Sequence, residues 1–295
     1  MTRRIVISGA SGLIGSALAA SLRADGIEVT TLVRRPPRAS HEVQWSPGEA
    51  PLDPDVLSGA EAVVALGGAS VGRLPWTPRY RRELLSSRLR PTETIAAALR
   101  AQGSDAPALV SASAVGYYGS APGAVLDESS RAGSTFLAEL CVAWEDAARR
   151  AGESARVALL RTAPVIHPRG VLKPLIALTR LGVSGPLGTG TQIWPWISLD
   201  DEVRAIRHTI DEGLTGPVNL TGPTPASAND IGRALARRMH RPFWLPAPAW
   251  ALRLALGPAA DSLLLGDADV RPLALERSGF SFSHATAEDA VEHAV

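Results

Sequence analysis

Three glycines spaced three residues apart follow the first apolar run of the chain. The run Ile5–Ser8 leads into Gly9 and Gly12, and Gly15 lies just after the start of an apolar helical pattern. In such a loop the first glycine permits a tight turn, the second lets backbone amides approach a pyrophosphate, and the third lets the helix pack on the strand. The positive end of the helix then attracts the phosphates. The spacing predicts a dinucleotide site formed by Gly9, Ser11, Gly12, Leu13, Ile14 and Gly15. The alternative is a glycine-rich turn that binds nothing.

Two arginines stand at the end of the second expected strand, Glu28–Val33. NAD-selective enzymes usually carry an acidic residue at this point to hold the ribose 2′-hydroxyl, whereas arginine accommodates the 2′-phosphate of NADP. Arg34 and Arg35 therefore predict NADP(H) as the cofactor. The alternative is a pair of solvated arginines that only opens a loop.

Small residues and hydroxyl groups end two further strands. Leu66, Gly67 and Gly68 end the fourth strand, where small residues leave room for a ribose or nicotinamide against the backbone. Ser113 ends the fifth strand and Tyr117 lies just beyond it, so both are candidates for polarising a substrate oxygen. A phenol with an ordinary pKa near ~10 is a poor base at neutral pH but a serviceable acid or hydrogen-bond donor. The alternative is that the tyrosine only packs the pocket wall.

Short β-branched runs alternate with helical patterns through the first half of the chain. Strands are expected at Ile5–Ser8, Glu28–Val33, Val43–Trp45, Ala62–Leu66, Ala108–Ser113 and Val157–Arg161, and helices at Ile14–Arg23, Arg79–Arg100 and Leu137–Arg150. This alternation predicts an α/β fold with a doubly wound parallel sheet of the Rossmann type. Prolines and glycines break the pattern after Arg161. We therefore expect a Rossmann domain over residues 1–163 and a small, mainly helical substrate-side region over residues 164–295 that partly returns to the sheet.

Composition narrows the classes of partner. The chain has 30 Lys and Arg against 29 Asp and Glu, so no net field draws it to nucleic acid or to an anionic membrane, and a small-molecule substrate is expected. Cys141 is the only cysteine, which excludes an intrachain disulfide and favours a reducing cytoplasm. No uncharged apolar stretch approaches the ~20 residues of a membrane span. The six histidines show no spacing suited to a metal, so no metal is assigned, and the oligomeric state is open.

Motifs spread along the chain resemble a known family. They are Ser111–Gly119, Phe136–Cys141 followed by Trp144 and Glu145, Trp196–Ser198 ahead of Asp200 and Asp201, and Arg271–Leu273 running on to Gly279–Phe282. With the glycine spacing they resemble the extended or atypical short-chain dehydrogenase/reductases. Within that group they are similar to epimerase-like proteins described as nucleoside-diphosphate-sugar epimerases or cell-division-inhibitor homologues. The resemblance implies NADP(H) binding and adds Ala112 and Arg161 to the residues on the cofactor side.

One departure from that superfamily bears on activity. Active short-chain dehydrogenases use a Tyr with a Lys four residues later, whereas the corresponding helix here begins Phe136–Leu140 and the only lysine is Lys173. Two functions therefore remain open: hydride transfer on a small carbonyl or sugar-like substrate, or a non-catalytic NADP(H)-binding regulator or redox sensor. On the same helix, Glu145 is expected at the surface and Trp144 in the core.

Overall fold

The structure is a computed structural model, which describes residues 3–152 and 155–295. Short runs rich in β-branched residues form strands, because such side chains pack well on a pleated surface. Within the described residues the strands are β1 (Arg4–Ser8), β2 (Glu28–Val33), β3 (Glu42–Gln44), β4 (Ala62–Ala65), β5 (Ala108–Ala114), β6 (Val125–Leu126), β7 (Val157–Thr162), β8 (Val165–Ile166), β9 (Ile197–Ser198), β10 (Gly216–Leu220) and β11 (Asp269–Val270).

Amphipathic stretches between the strands form helices. Several begin at a residue whose side chain accepts a hydrogen bond from an amide of the first turn, as Thr135 and Ser198 do. The helices of the described residues are α1 (Leu13–Ala24), α2 (Pro78–Gln102), α3 (Phe136–Arg149), α4 (Leu172–Arg180), α5 (Leu199–Asp211), α6 (Ala228–Arg238), α7 (Ala249–Leu256), α8 (Ala259–Leu263), α9 (Leu273–Arg277) and α10 (Ala287–Ala294). Within residues 3–152 and 155–295, none of them combines the length and apolar character that a bilayer crossing requires.

Seven strands form one parallel sheet in the order β10-β7-β5-β4-β1-β2-β3. This arrangement confirms the expected doubly wound fold. The chain runs outward from β1 to β3 on one side, then returns to β4 and runs outward to β10 on the other. The strand order therefore reverses between β1 and β4, and ligands of such sheets bind outside the carboxyl ends of the strands at that point.

Both faces of the sheet are buried. In β1, Ile5 and Ile7 pack with residues of α1 and α5, whereas Val6 packs with residues of α2. All three side chains are 0% exposed. A strand that is covered on both faces is apolar along its whole length, which explains the continuous apolar runs of the sequence.

Part of the chain beyond residue 163 lies in the main sheet, because β10 pairs with β7. Much of the remainder is helical, and α4, α6 and α10 surround Trp194 and Trp196. The short strand β11 pairs with β6 and ties this region to the first half of the chain. The division near residue 163 stays a prediction.

Candidate functional site

The glycine loop lies where the strand order reverses. Gly9 has a φ of +86°, in the left-handed region that favours glycine. A Cβ atom at Gly9 would lie 2.9 Å from the carbonyl carbon of Leu66 and 3.0 Å from the amide nitrogen of Gly67. A Cβ atom at Gly15 would overlap the carbonyl oxygen of Gly9. Both positions therefore require glycine, and the loops that leave β1 and β4 touch through their backbones.

The start of α1 presents amides without acceptors. Gly12 caps the helix without a side-chain hydrogen bond, and the first turn holds no acidic residue. The first amides of any helix lack intrahelical acceptors and carry the positive end of its dipole. Leu13 and Ile14 contribute two of these amides, and Ser11 is exposed next to them. The loop fits a pyrophosphate, because phosphate oxygens accept hydrogen bonds from such amides.

The two arginines after β2 have different surroundings. Both terminal nitrogens of Arg35 donate to the Glu42 carboxylate, at 2.6 and 2.8 Å, and this guanidinium, together with the amide of Arg38, lowers the pKa of Glu42 to about 2. Arg34 is exposed, and its side chain forms no hydrogen bond or ion pair with any described residue. Of the two arginines at the tip of β2, Arg34 is thus the one without a partner among the described residues, whereas Arg35 stabilises the loop that leads to β3.

The end of β4 borders a cation that the sequence analysis missed. Leu66 and Gly67 are half-buried, and a Cβ atom at Gly68 would lie 3.1 Å from the guanidinium carbon of Arg88. Within the described residues Arg88 makes one hydrogen bond, from Nη1 to the carbonyl oxygen of Leu84 at 3.0 Å, and its buried Nε has no partner. Burial lowers the pKa of Arg88. No local pattern marks this arginine, which stands inside the long helix α2.

A buried ion pair joins α3 to β7. Nε and Nη2 of Arg161 donate to the two carboxylate oxygens of Glu145, at 2.8 and 3.0 Å, and the residues are 2% and 1% exposed. The expectation that Glu145 lies on the helix surface is wrong. The side of α3 that carries Glu145 packs on the sheet, and Arg161 supplies the opposite charge that makes burial of a carboxylate tolerable.

The ion pair involves two residues, Arg161 and Ser113, that the sequence analysis expects to contact a ligand. Nη1 of Arg161 donates to the hydroxyl of Tyr118 at 2.9 Å, so all three nitrogens of this guanidinium have partners within the protein. The expected contact between Arg161 and a cofactor stays a prediction. Ser113 stands beside Arg161 in the sheet register. Its hydroxyl donates to Glu145 at 2.8 Å, and the residue is 4% exposed. The one hydroxyl proton of Ser113 is therefore committed to Glu145, and a contact between Ser113 and a substrate oxygen stays a prediction.

The two tyrosines after β5 divide into a buried and an accessible phenol. The Tyr118 hydroxyl donates to Oδ1 of Asn219 at 2.7 Å, and burial raises the pKa of Tyr118 to about 12. Tyr117 is half-buried, its ring lies 3.5 Å from the guanidinium carbon of Arg161, and its hydroxyl makes no hydrogen bond within the described residues. A phenol without a protein partner remains available to a ligand. Of the two candidates predicted to polarise a substrate oxygen, Ser113 and Tyr117, Tyr117 is therefore the one with an accessible hydroxyl. The Arg161 guanidinium, stacked on its ring, fixes the plane of that ring.

A second carboxyl group, Glu202, lies at the end of β7 and was also missed. It stands in the first turn of α5, is 0% exposed, and accepts a hydrogen bond from the hydroxyl of Thr162 at 2.9 Å. Its other oxygen has no partner within residues 3–152 and 155–295. Burial raises the pKa of Glu202 to about 8, so the group is mainly a neutral acid at pH 7. Ser198 caps α5 by accepting from the amide of Asp201, but such a cap gives no sign that Glu202, the fourth residue of the helix, points into the protein.

Comparisons with known proteins identify the family of the chain. The model of the NAD dependent epimerase/dehydratase family matches residues 5–220. The chain belongs to this family. A domain of unknown function, DUF1731, matches residues 247–294. The resemblance drawn from the motifs is thereby confirmed, and the family is one that binds NAD(P).

Relatives and solved structures of the epimerase family match almost the whole chain. An epimerase family protein of Mycobacterium bovis is 44% identical over 293 residues, which cover 98% of this chain and 97% of that protein. The crystal structure of human epimerase family protein SDR39U1 (isoform2) with NADPH has a TM-score of 0.88 at 27% identity, covering 99% of this chain and 98% of that one. MoeE5 in complex with UDP-glucose and NAD has a TM-score of 0.75 at 23% identity, covering 98% of this chain and 96% of that one. The last comparison shows the shared fold alone.

This member of the epimerase family has an apolar start to α3, where the superfamily's Tyr and Lys are absent. Phe136 and Leu137 open the helix, and a Cβ atom at Gly116 would lie 3.3 Å from Cβ of Leu137. Cys141, one turn further on, is 2% exposed, and burial raises its pKa to about 11. Ala112 is half-buried and packs on the apolar cluster of α2 and α3. Of the polar groups of the site, α3 therefore contributes the buried Glu145, whereas Tyr117 follows β5 and Arg161 lies on β7.

Proposed function

We propose that this chain binds NADP(H) across the carboxyl ends of β1 and β4 and catalyses oxidation or reduction of a small carbonyl or sugar-like substrate. The observation that carries the proposal is the cradle between β1 and β4. Gly9 and Gly15 bring the two backbones together, and the start of α1 presents amides that no acidic side chain accepts. This cradle has the shape and polarity of a pyrophosphate site.

Selection of the phosphorylated cofactor rests on Arg34. An exposed guanidinium without a protein partner, placed at the tip of β2, pairs with a 2′-phosphate without breaking any existing interaction. Arg35 supports that position indirectly, because it holds the loop through Glu42. NADPH in the human SDR39U1 structure supports the same choice for this chain.

The residues at the nicotinamide end bind and orient the substrate. NADP(H) supplies or accepts a hydride when bound. The free hydroxyl of Tyr117 donates a hydrogen bond to the substrate oxygen, and donation to an oxygen on which charge develops stabilises a transition state. Ser113 holds the Glu145 carboxylate, which in turn holds the Arg161 guanidinium against the Tyr117 ring. Ser113 and Arg161 are thus positioning residues, and Tyr117 is the proposed catalytic residue.

A small carbonyl or sugar-like molecule is the proposed partner. Arg88 adds a cation beside Gly68 that no described carboxylate neutralises, so an anionic group on a ligand is favoured there. No feature of the site calls for nucleic acid or a membrane surface. A cytoplasmic location stays a prediction.

A second function is favoured by one observation. The α3 positions that carry the acid–base pair in active relatives are apolar here, and the hydroxyl of Ser113 is committed to Glu145. A protein that keeps the nucleotide site without turnover, and that signals cofactor loading to another protein, has the same features.

Stereospecific hydride transfer separates these two functions. NADPH labelled with deuterium on one face of C4 is incubated with a panel of aldehydes, ketones and nucleotide-linked keto sugars, and transfer of the label is followed by mass spectrometry. Transfer from a single face, abolished in Tyr117→Phe, supports the enzyme. Tight NADPH binding without transfer across the panel refutes catalysis in this form, and a partner protein captured only with NADPH present identifies the regulator.

A further inference from the structure

Three side chains with metal-binding atoms converge on the face of the molecule formed by α5 and α10. Asp200 lies in the first turn of α5, His284 precedes α10, and His293 lies in its last turn. One ligand atom from each of the three lies within 4.8 Å of the other two. Nε2 of His293 is 3.2 Å from Oδ2 of Asp200, and the two imidazole rings are 5.0 Å apart. The three residues are not close in sequence, so the spacing of the histidines along the chain predicted no metal site.

The orientation of His284 is fixed by a second layer of hydrogen bonds. The hydroxyl of Ser198 lies 3.0 Å from Oδ2 of Asp201 and 3.1 Å from Nδ1 of His284, and Nδ1 is 3.4 Å from the same carboxylate oxygen. The Asp201 carboxylate also accepts from the backbone amides of Ser283 and His284, at 2.7 and 3.1 Å. Because a carboxylate only accepts, these neighbours favour the neutral tautomer with its proton on Nδ1. Nε2 then carries a lone pair and remains for a ligand.

We propose that Asp200, His284 and His293 bind a transition-metal ion of the Zn²⁺ class. Two imidazole nitrogens and one carboxylate oxygen form a donor set that suits Zn²⁺ and Co²⁺ better than Mg²⁺ or Ca²⁺. A metal-binding histidine typically donates its other ring nitrogen to a carboxylate or other acceptor, and Ser198 with Asp201 supplies that arrangement for His284. Water completes the coordination.

Only small movements of exposed side chains are needed. Metal bonds of about 2.0–2.1 Å in tetrahedral geometry place ligand atoms roughly 3.4 Å apart. The Asp200–His293 pair already meets this spacing at 3.2 Å. The side chains of His293 and Asp200 are 66% and 58% exposed, so both can close on an ion, whereas His284 is 8% exposed and supplies the fixed donor.

The bound ion would fasten α10 to α5. α10 packs on α6 through Ala287, Ala290 and Val291, and the cluster adds a cross-link on its other end. α5 also carries Glu202 at the end of β7. Because the ion would link two helices, we expect the proposed metal site to be structural. None of its three ligands belongs to the proposed NADP(H) site.

Metal titration of the full chain, with any affinity tag removed, tests this site. Isothermal titration with Zn²⁺ and visible absorption with Co²⁺ are run on the wild type, on His284→Ala, on His293→Ala and on His41→Ala. His41 is exposed and lies outside the cluster, so it is the matched control. Far-UV circular dichroism in EDTA verifies that each variant is folded, and His293→Ala removes only an exposed side chain.

The expected result is one equivalent of Zn²⁺ or Co²⁺ bound by the wild type and by H41A. Binding weakens at least 10-fold in H284A and H293A, and Zn²⁺ raises the Tm of the wild type and of H41A but not that of H284A or H293A. Mg²⁺ at the same concentration leaves the Tm unchanged. Absence of saturable binding, or binding that is equal in H41A, H284A and H293A, overturns the proposal and leaves the cluster as a surface ion pair.

Discussion

The buried carboxyl of Glu202 makes a quantitative prediction for stability against pH. The unfolded chain releases this proton near the ordinary pKa of 4.5, whereas the folded chain keeps it until about pH 8 because burial penalises the charged form. Between these two values the folded state binds more protons than the unfolded state, so stability falls as pH rises. Glu202→Gln has no proton to release. It retains an oxygen that can accept from Thr162.

The size of the effect follows from the two pKa values. Linkage gives a loss of roughly 1 kcal/mol at pH 5 and about 3 kcal/mol at pH 7 relative to strongly acid solution. The difference in unfolding free energy between E202Q and the wild type should therefore shift by about 2–3 kcal/mol in favour of E202Q between pH 5 and pH 7. The other titrating groups are common to both proteins and cancel in this difference.

Urea unfolding at pH 5, 6, 7 and 8, followed by tryptophan fluorescence, measures the shift. Glu212→Gln makes the same chemical change at the exposed end of α5 and is the matched control, for which the difference from the wild type should stay constant. A pH-independent difference for E202Q would show that Glu202 is not held as a neutral acid. The reasoning from its burial would then be refuted.

Three further predictions concern the site. Glu145→Gln leaves the buried Arg161 without its counter-charge and should lower the unfolding free energy by about 3–5 kcal/mol. The control Asp146→Asn, on the exposed side of α3, should change the unfolding free energy by less than about 1 kcal/mol. A change in E145Q no larger than that in D146N would contradict the ion-pair assignment. Gly15→Ala forces the glycine loop open and should weaken NADPH binding on the order of 10-fold or more, as measured by fluorescence titration, and unchanged affinity in a folded variant would argue against the cradle. Tyr117→Phe should lower kcat about 100-fold with little change in NADPH affinity. Tyr118→Phe removes a buried hydroxyl and should mainly lower the unfolding free energy. Equal kcat values for Y117F and the wild type would show that Tyr117 has no part in catalysis.

The fold and the glycine loop between β1 and α1 could be predicted because their signals are local. Gly9, Gly12 and Gly15 lie between the end of β1 and the first turn of α1, and their regular spacing is the signal. Alternation of strand and helix fixes a parallel sheet, whose carboxyl edge then collects the loops. Arg34 followed from its place after β2, although only the structure separates it from Arg35.

The polar network could not be predicted because its members meet only in the folded chain. Glu145 and Arg161 come from a helix and a strand, and Ser113 joins them through the neighbouring strand. A glutamate on an amphipathic helix is usually exposed, so the sequence alone gave the wrong side of α3 for Glu145. Glu202 and the histidines of the proposed metal site depend in the same way on contacts between distant segments.

Calorimetry of NADPH and NADH binding tests the central claim most directly. The wild type should bind NADPH more tightly than NADH, and Arg34→Ala should weaken NADPH binding about 10- to 150-fold, the equivalent of one charge-assisted hydrogen bond, while NADH binding changes little. Arg35→Ala, the control, should affect NADPH less than R34A does. Failure of the wild type to bind NADPH, or a preference for NADPH that survives in R34A, would contradict the account.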